Sequence, residues 1–127
     1  MGQIDKPPRI ALIVEDDADI RSLAATLIEE TDLDVHETES AEEALAYLLR
    51  HGPNVALVFA HIRLPCSMDG VELAQKVSRH WPWIRVVVIL DDPGDRLDQL
   101  PDEATYMPTP WRALEVLMEA ERAAARG

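Results

Sequence analysis

The chain has 127 residues, 47% of them hydrophobic, enough for one domain with a buried core and too many for a disordered chain. Its net charge of −12, from 24 acidic and 12 basic side chains, repels nucleic-acid backbones and anionic membranes, and no basic stripe offsets it. The lone cysteine, Cys66, excludes an internal disulfide, and a polar start (MGQIDKPPR) with no long apolar run points to a soluble cytoplasmic protein.

Arg9–Val14 (RIALIV) is an apolar run of strand length, followed at once by Glu15-Asp16-Asp17. Ile20, Leu23, Ala24, Leu27 and Ile28 then recur at helical spacing, with Asp16 or Asp17 as the natural N-cap. Leu33–Thr38 can form a short second strand. Ser40-Ala41-Glu42-Glu43 is a capping box that opens a helix with Ala41, Ala44, Leu45, Leu48 and Leu49 inward. His51-Gly52-Pro53 ends it.

Val55–Ala60 is an unbroken apolar run, the pattern of a strand covered by helices on both faces. Asp69-Gly70-Val71-Glu72 is a second capping box, and its helix runs to Trp81-Pro82. Arg85–Leu90 (RVVVIL) is strongly β-branched and reads as a central strand. Asp91–Pro101 is rich in Asp and Pro and carries Pro93-Gly94, so only a short or irregular helix fits there. Ala104–Met107 is a fifth short strand. Thr109 as N-cap and Pro110 at the first helical position then open a last helix with Leu114, Leu117 and Met118 inward.

The order β-α-β-α-β-α-β-(α)-β-α implies a parallel sheet with right-handed crossovers and helices on both faces. In such sheets ligands and chemistry collect beyond the carboxyl ends of the strands. The third strand exits through His61-Ile62-Arg63-Leu64-Pro65, which places His61 in the working crevice.

These residues resemble a response-regulator receiver domain, the flavodoxin-like partner of histidine kinases. The resemblance runs from Arg9 to about Arg122 and makes residues 1–127 a single domain. It rests on Glu15-Asp16, on Ile62-Arg63-Leu64-Pro65, on Met68 to Leu73, and on Tyr106 to Pro110. It implies a three-layer sandwich with a five-stranded parallel sheet in the order 2-1-3-4-5. A working receiver uses two acidic residues for Mg²⁺, an Asp phosphoacceptor, and a Ser/Thr and a Lys that bind phosphoryl oxygens. In this chain the acidic pair is Glu15 and Asp16, and His61 takes the phosphoacceptor position. Leu90 stands at the Ser/Thr position, Thr109 at the Lys position, and Tyr106 at the switch aromatic. The resemblance also admits a cis Thr109-Pro110 bond.

Three of the five parts are thus replaced, and they are the three that handle the phosphoryl group. The implied function is a stand-alone pseudo-receiver in two-component signalling, non-enzymatic and acting by phosphorylation-independent contact. No cofactor is expected, and Mg²⁺ binding is weak or absent. The partner is another signalling protein, a histidine kinase or a downstream regulator, with no nucleic acid and no membrane involved. A homodimer through the fourth strand, fifth strand and last helix is the family-style expectation, with Tyr106, Trp111, Ala113 and Val116 near that face.

His61 beside Glu15 and Asp16 leaves two states open. A carboxylate within about 4–6 Å favours the imidazolium, giving an ion pair with Asp16 or Glu15; the alternative is a neutral ring filling space. A metal- or pH-responsive module on Glu15, Asp16 and His61 is the second functional reading. Phosphotransfer through His61 itself ranks last, because Glu15, Asp16, Asp91 and Asp92 oppose an incoming phosphate.

Overall fold

The computed structural model describes residues 8–92 and 96–126. Five strands form one parallel sheet: β1 (Ile10–Val14), β2 (Asp34–Thr38), β3 (Val55–His61), β4 (Arg85–Leu90) and β5 (Thr105–Pro108). Their spatial order is β2-β1-β3-β4-β5, the expected doubly wound topology. The described helices are α1 (Ala18–Ile28), α2 (Ala41–His51), α3 (Gly70–His80) and α4 (Ala113–Arg126). The described part of the β4–β5 connection carries only a 3₁₀ turn, Leu97–Gln99, as its composition implies. Pro93-Gly94 lies outside the described residues.

Period-two alternation divides the strand side chains between two cores. Leu12, Val14, Val58, Ala60, Val86, Val88 and Leu90 face α2 and α3, whereas Ala11, Ile13, Phe59, Val87 and Ile89 face α1 and α4. Ala56 and Leu57 break the alternation by lying on the same side. The β1–β3 register slips there, Ile10 facing Val55 and Ala11 facing Leu57, so Ala56 is an extra residue. Pairing resumes and delivers Val14 opposite Ala60, which aligns the ends of β1 and β3.

Helix phases differ from the sequence pattern in instructive ways. Asp17, not Asp16, caps α1, its side chain accepting from the Asp19 and Ile20 N–H groups. The α1 contact is made by Ala24, Ala25 and Ile28, while Ile20 and Leu23 are exposed. In α2 the Ser40 cap holds, but Glu43 reaches the Glu39 N–H and Leu49 faces solvent. In α4 the inward residues are Val116, Ala120 and Ala123; Leu114 and Met118 point outward. Alanines at the contact let a helix lie close to the sheet, and the bulkier residues are turned away. Val116, expected near a partner face, is fully buried.

The last helix also begins later than expected. Thr109 does not cap it, because both its N–H (2.9 Å) and its Oγ1 (3.2 Å) donate to the Leu90 carbonyl. The Thr109-Pro110 bond is cis, and α4 starts at Ala113.

Two glycines are set by close approach. Gly52 has ordinary helical torsions (φ −46°), and a Cβ there would run into the Trp81 indole. Gly70 opens α3 directly beneath the end of β3, where a Cβ would meet the His61 carbonyl oxygen and lie 2.7 Å from Ile62 Cα. Its N–H donates to the Ile62 carbonyl at 2.9 Å. Both neighbours are backbone and cannot swing aside. Gly70→Ala is therefore expected to lower stability by about 1–3 kcal/mol, read as a lower urea midpoint at unchanged slope.

Candidate functional site

Neighbouring strands β1, β3 and β4 end side by side, bringing Glu15, His61 and Asp91 together at the carboxyl edge of the sheet. Glu15 is only 6% exposed. Its Oε2 accepts the Asp17 N–H at 3.1 Å, and Arg21 Nη1 donates to its backbone carbonyl at 2.8 Å. The short β1–α1 turn is held from both sides, so the carboxylate has little freedom.

His61 lies between two carboxylates. Its Nε2 is 2.7 Å from Asp91 Oδ1, a hydrogen bond, and its Nδ1 is 3.5 Å from Glu15 Oε1. The Nδ1 contact lacks hydrogen-bond geometry and acts through charge. Glu15 raises the imidazole pKa, burial opposes it, and Asp91 raises it further, leaving the ring at about 9. Burial pushes the Glu15 carboxyl upward, but His61 and the Asp17 N–H outweigh it and hold that carboxyl below its ordinary value. At neutral pH the ring is an imidazolium with a proton on each nitrogen, so neither offers a lone pair.

Of the two states the sequence left open, the charged one is favoured, with Glu15 as partner rather than Asp16. Asp91, which the sequence placed in the crevice only as a carboxylate opposing phosphate, is the closer partner of the ring. The available signal was topological: β4 adjoins β3, so the residue after Leu90 stands beside position 61. Arg63 Nε contacts the other Asp91 oxygen at 3.2 Å.

Because the folded-state pKa is raised, the stability that this pairing contributes is fully present below the unfolded value of about 6.5. It falls away as pH rises through about 9. The urea midpoint should decline across that window, and an NMR titration of the ring should have its midpoint near its upper end. A midpoint at or below about 6.5 would exclude the ion pair.

The remaining candidates are not all drawn into this cluster. Leu90 is buried and its side chain joins the α2/α3 core. Thr109 is tied to the Leu90 carbonyl. Tyr106 is 56% exposed on β5 and points outward. Asp16 is exposed, yet one ligand atom each from Glu15, Asp16 and His61 lie within 4.8 Å of one another.

The β3–α3 loop is held by a residue whose role the sequence did not suggest. Glu42 Oε2, from the first turn of α2, accepts from the Ser67 N–H, Ser67 Oγ and the Met68 N–H. Its own backbone N–H first, and then the Met68 and Ser67 bonds, hold the Glu42 carboxyl below its ordinary value. Asp69 caps α3 through the Glu72 N–H and pairs with Arg96. His36 stacks on Tyr47, and His51 lies tilted against the same ring, at the β2 edge of the sheet.

No described helix is long and apolar enough to cross a membrane. A curated relative, the nitrogen assimilation regulatory protein NtrX of Azorhizobium caulinodans, is 37% identical over 79 residues. That match covers 61% of this chain and 17% of NtrX, so the chain spans about a sixth of the relative's length. The signal receiver domain of an HD domain-containing protein from Pseudomonas fluorescens Pf-5 superimposes with a TM-score of 0.82 at 23% identity. That superposition covers 94% of this chain and 96% of the other. NtrX from Brucella abortus superimposes with a TM-score of 0.79 at 26% identity, over 93% of this chain and 27% of that one. The family model for the response regulator receiver domain matches residues 11–95, and the chain therefore belongs to that family of two-component signalling modules.

Proposed function

We propose that this receiver is a pseudo-receiver, signalling through phosphorylation-independent contact with another signalling protein, a histidine kinase or a downstream regulator. The observation that carries the reading is the His61 ring held by its two nitrogens between Glu15 and Asp91. On the family pattern, position 61 is the phosphoacceptor, and here it brings a positive charge in place of a nucleophilic carboxylate. Leu90 turns its side chain into the α2/α3 core and Thr109 donates its hydroxyl to the Leu90 carbonyl, so neither side chain offers the phosphoryl-binding group that the family pattern expects of it. Loss of a preorganised electrostatic stabiliser costs on the order of 3–4 kcal/mol of transition-state energy, and more than one is missing. Tyr106 lies exposed where a partner can reach it.

The residues do not fit the Mg²⁺ that the family implies. A hard octahedral cation needs oxygen donors, and the charged ring beside Glu15 and Asp16 supplies none while repelling the ion. Acetyl phosphate with Mg²⁺ should leave the intact mass of the native chain unchanged. A gain of one phosphoryl group would overturn the reading, and mapping would show whether His61 or an Asp carries it. If His61→Asp alone gains mass, the histidine is the lock.

A second reading, a metal- or pH-responsive module, rests on the 4.8 Å grouping of Glu15, Asp16 and His61. Zinc would have to displace the ring proton, so its binding should release a proton and strengthen with pH. Calorimetry in buffers of different ionisation enthalpy tests it.

A further inference from the structure

The amino edge of the sheet, opposite the His61 crevice, carries a surface that neither reading uses. Both α2 and α3 finish there, α2 running into β3 through Gly52–Asn54 and α3 into β4 through residues 81–84. The Trp81 indole packs against Gly52, and Trp83 Nε1 donates to the Gly52 carbonyl at 3.3 Å, so the two helix ends are stitched together. Trp83 nevertheless stays 39% exposed, and Leu49, one turn before Gly52, is 73% exposed.

Two cations accompany these apolar side chains. Arg50 and Arg79 stand exposed in the last turns of α2 and α3, where each suits the negative end of its helix. Arg21, Arg63, Arg85, Arg96 and Arg122 each contact a carboxylate. Among the described residues Arg50 and Arg79 contact none, and Glu103 borders a groove with Arg79 without pairing with it.

The helix dipoles account for the arginines but not for the exposed leucine and tryptophan beside them. An indole already fixed by its own hydrogen bond loses little freedom on binding, which suits it to anchor a partner. With a net charge of −12, the remaining surface repels an acidic partner, and this end is where one is attracted and oriented. A nucleic-acid strand would run on across that acidic remainder, so a short peptide segment fits better.

We infer that the α2/α3 end docks an acidic segment of a partner protein that carries a bulky apolar side chain. Its carboxylates meet Arg50 and Arg79, and the apolar side chain packs against Leu49 and Trp83. This face lies away from position 61, so a phosphoryl gain in the crevice would leave the docking intact, and loss of docking would leave the pseudo-receiver reading intact.

The peptides acetyl-EELFEE-amide and acetyl-KKLFKK-amide, alike in apolar core and opposite in charge, are the probes, with acetyl-EEGSEE-amide lacking the core. Two-dimensional NMR follows the Trp83 indole N–H signal, assigned with Trp83→Phe. The acidic peptide with the core should move it saturably, and each of the other two should bind at least about tenfold more weakly. Arg50→Glu combined with Arg79→Glu changes two exposed side chains, so the spectrum should stay native elsewhere while affinity falls at least about tenfold. An unmoved Trp83 signal, an equal response to the acidic peptide and either of the others, or native affinity in the folded double variant would each overturn the inference. So would a single-stranded oligonucleotide that moves Trp83 as strongly, or a dimer in sedimentation that the double variant abolishes, which would assign the surface to nucleic acid or to a second copy.

Discussion

His61→Asp is expected to cost about 3 kcal/mol at neutral pH without divalent cation, a fall of roughly 10 °C in Tm. The native ring is a cation between Glu15 and Asp91, and the substitution replaces it with another acid. Glu15 is buried and loses its counter-charge, while Asp16, within the same 4.8 Å group, adds to the repulsion. Partial exposure of Asp91 keeps the cost at the lower end for a broken buried pair. One of the crowded carboxyls should therefore take up a proton near neutral pH. Mg²⁺ reverses the sign of the problem, because a carboxylate cluster is what a hard cation needs. At about ten times its dissociation constant, Mg²⁺ should restore about 1.4 kcal/mol to the variant and nothing to the native chain. Thermal melts of both proteins across a Mg²⁺ series decide it. A variant as stable as the native chain without Mg²⁺, or a native chain stabilised equally by it, would show that His61 does not occupy the cation's place.

Topology was legible in the sequence because it depends on pattern: five short strand-length segments, alternating with helical ones, leave few ways to close a sheet. Helix phase was less legible. Leu114 and Met118 in α4, like Leu23 in α1, satisfy a hydrophobic template yet face solvent, and alanines make the contact. Size and apolarity do not fix which side of a helix turns inward when several residues qualify. The site followed the same division. Glu15, Asp16 and His61 were placed by the ends of their strands. Asp91 was placed in the same crevice, but its hydrogen bond to His61 was not, and Glu42 required a contact from α2 across 25 or 26 residues of chain to Ser67 and Met68. Thr109 was misassigned as a helix cap because a Thr-Pro pair suits that role locally, and only the β4–β5 pairing reveals the Leu90 carbonyl as its acceptor.

The hidden ionic contact at the opposite end of β4 carries the other large effect. Glu119 is 5% exposed in α4, and its Oε1 lies 2.5 Å from Arg85 Nε at the start of β4. Arg122, one turn further along α4, reaches Oε2 at 3.0 Å but is itself half exposed. Arg85 is thus the partner that neutralises the carboxylate where water is scarce. Arg85→Met keeps much of the side-chain volume and removes the charge, leaving Glu119 buried with one partly solvated counter-ion. The expected loss is about 3 kcal/mol, because an uncompensated buried charge costs more than the pair contributes. Adding Glu119→Leu to the same chain should recover most of it, since an apolar pair fills that space without stranding a charge. Urea unfolding of the native chain, both single variants and the double variant closes the cycle. A loss below about 0.5 kcal/mol for Arg85→Met would place the contact among ordinary surface ion pairs. A double variant no better than Arg85→Met would mean that packing, not charge, anchors α4 to β4. Because α4 follows the loop that presents Trp111, which packs edge-on against Phe59, the Arg85→Met chain should also show a shifted Trp111 indole signal.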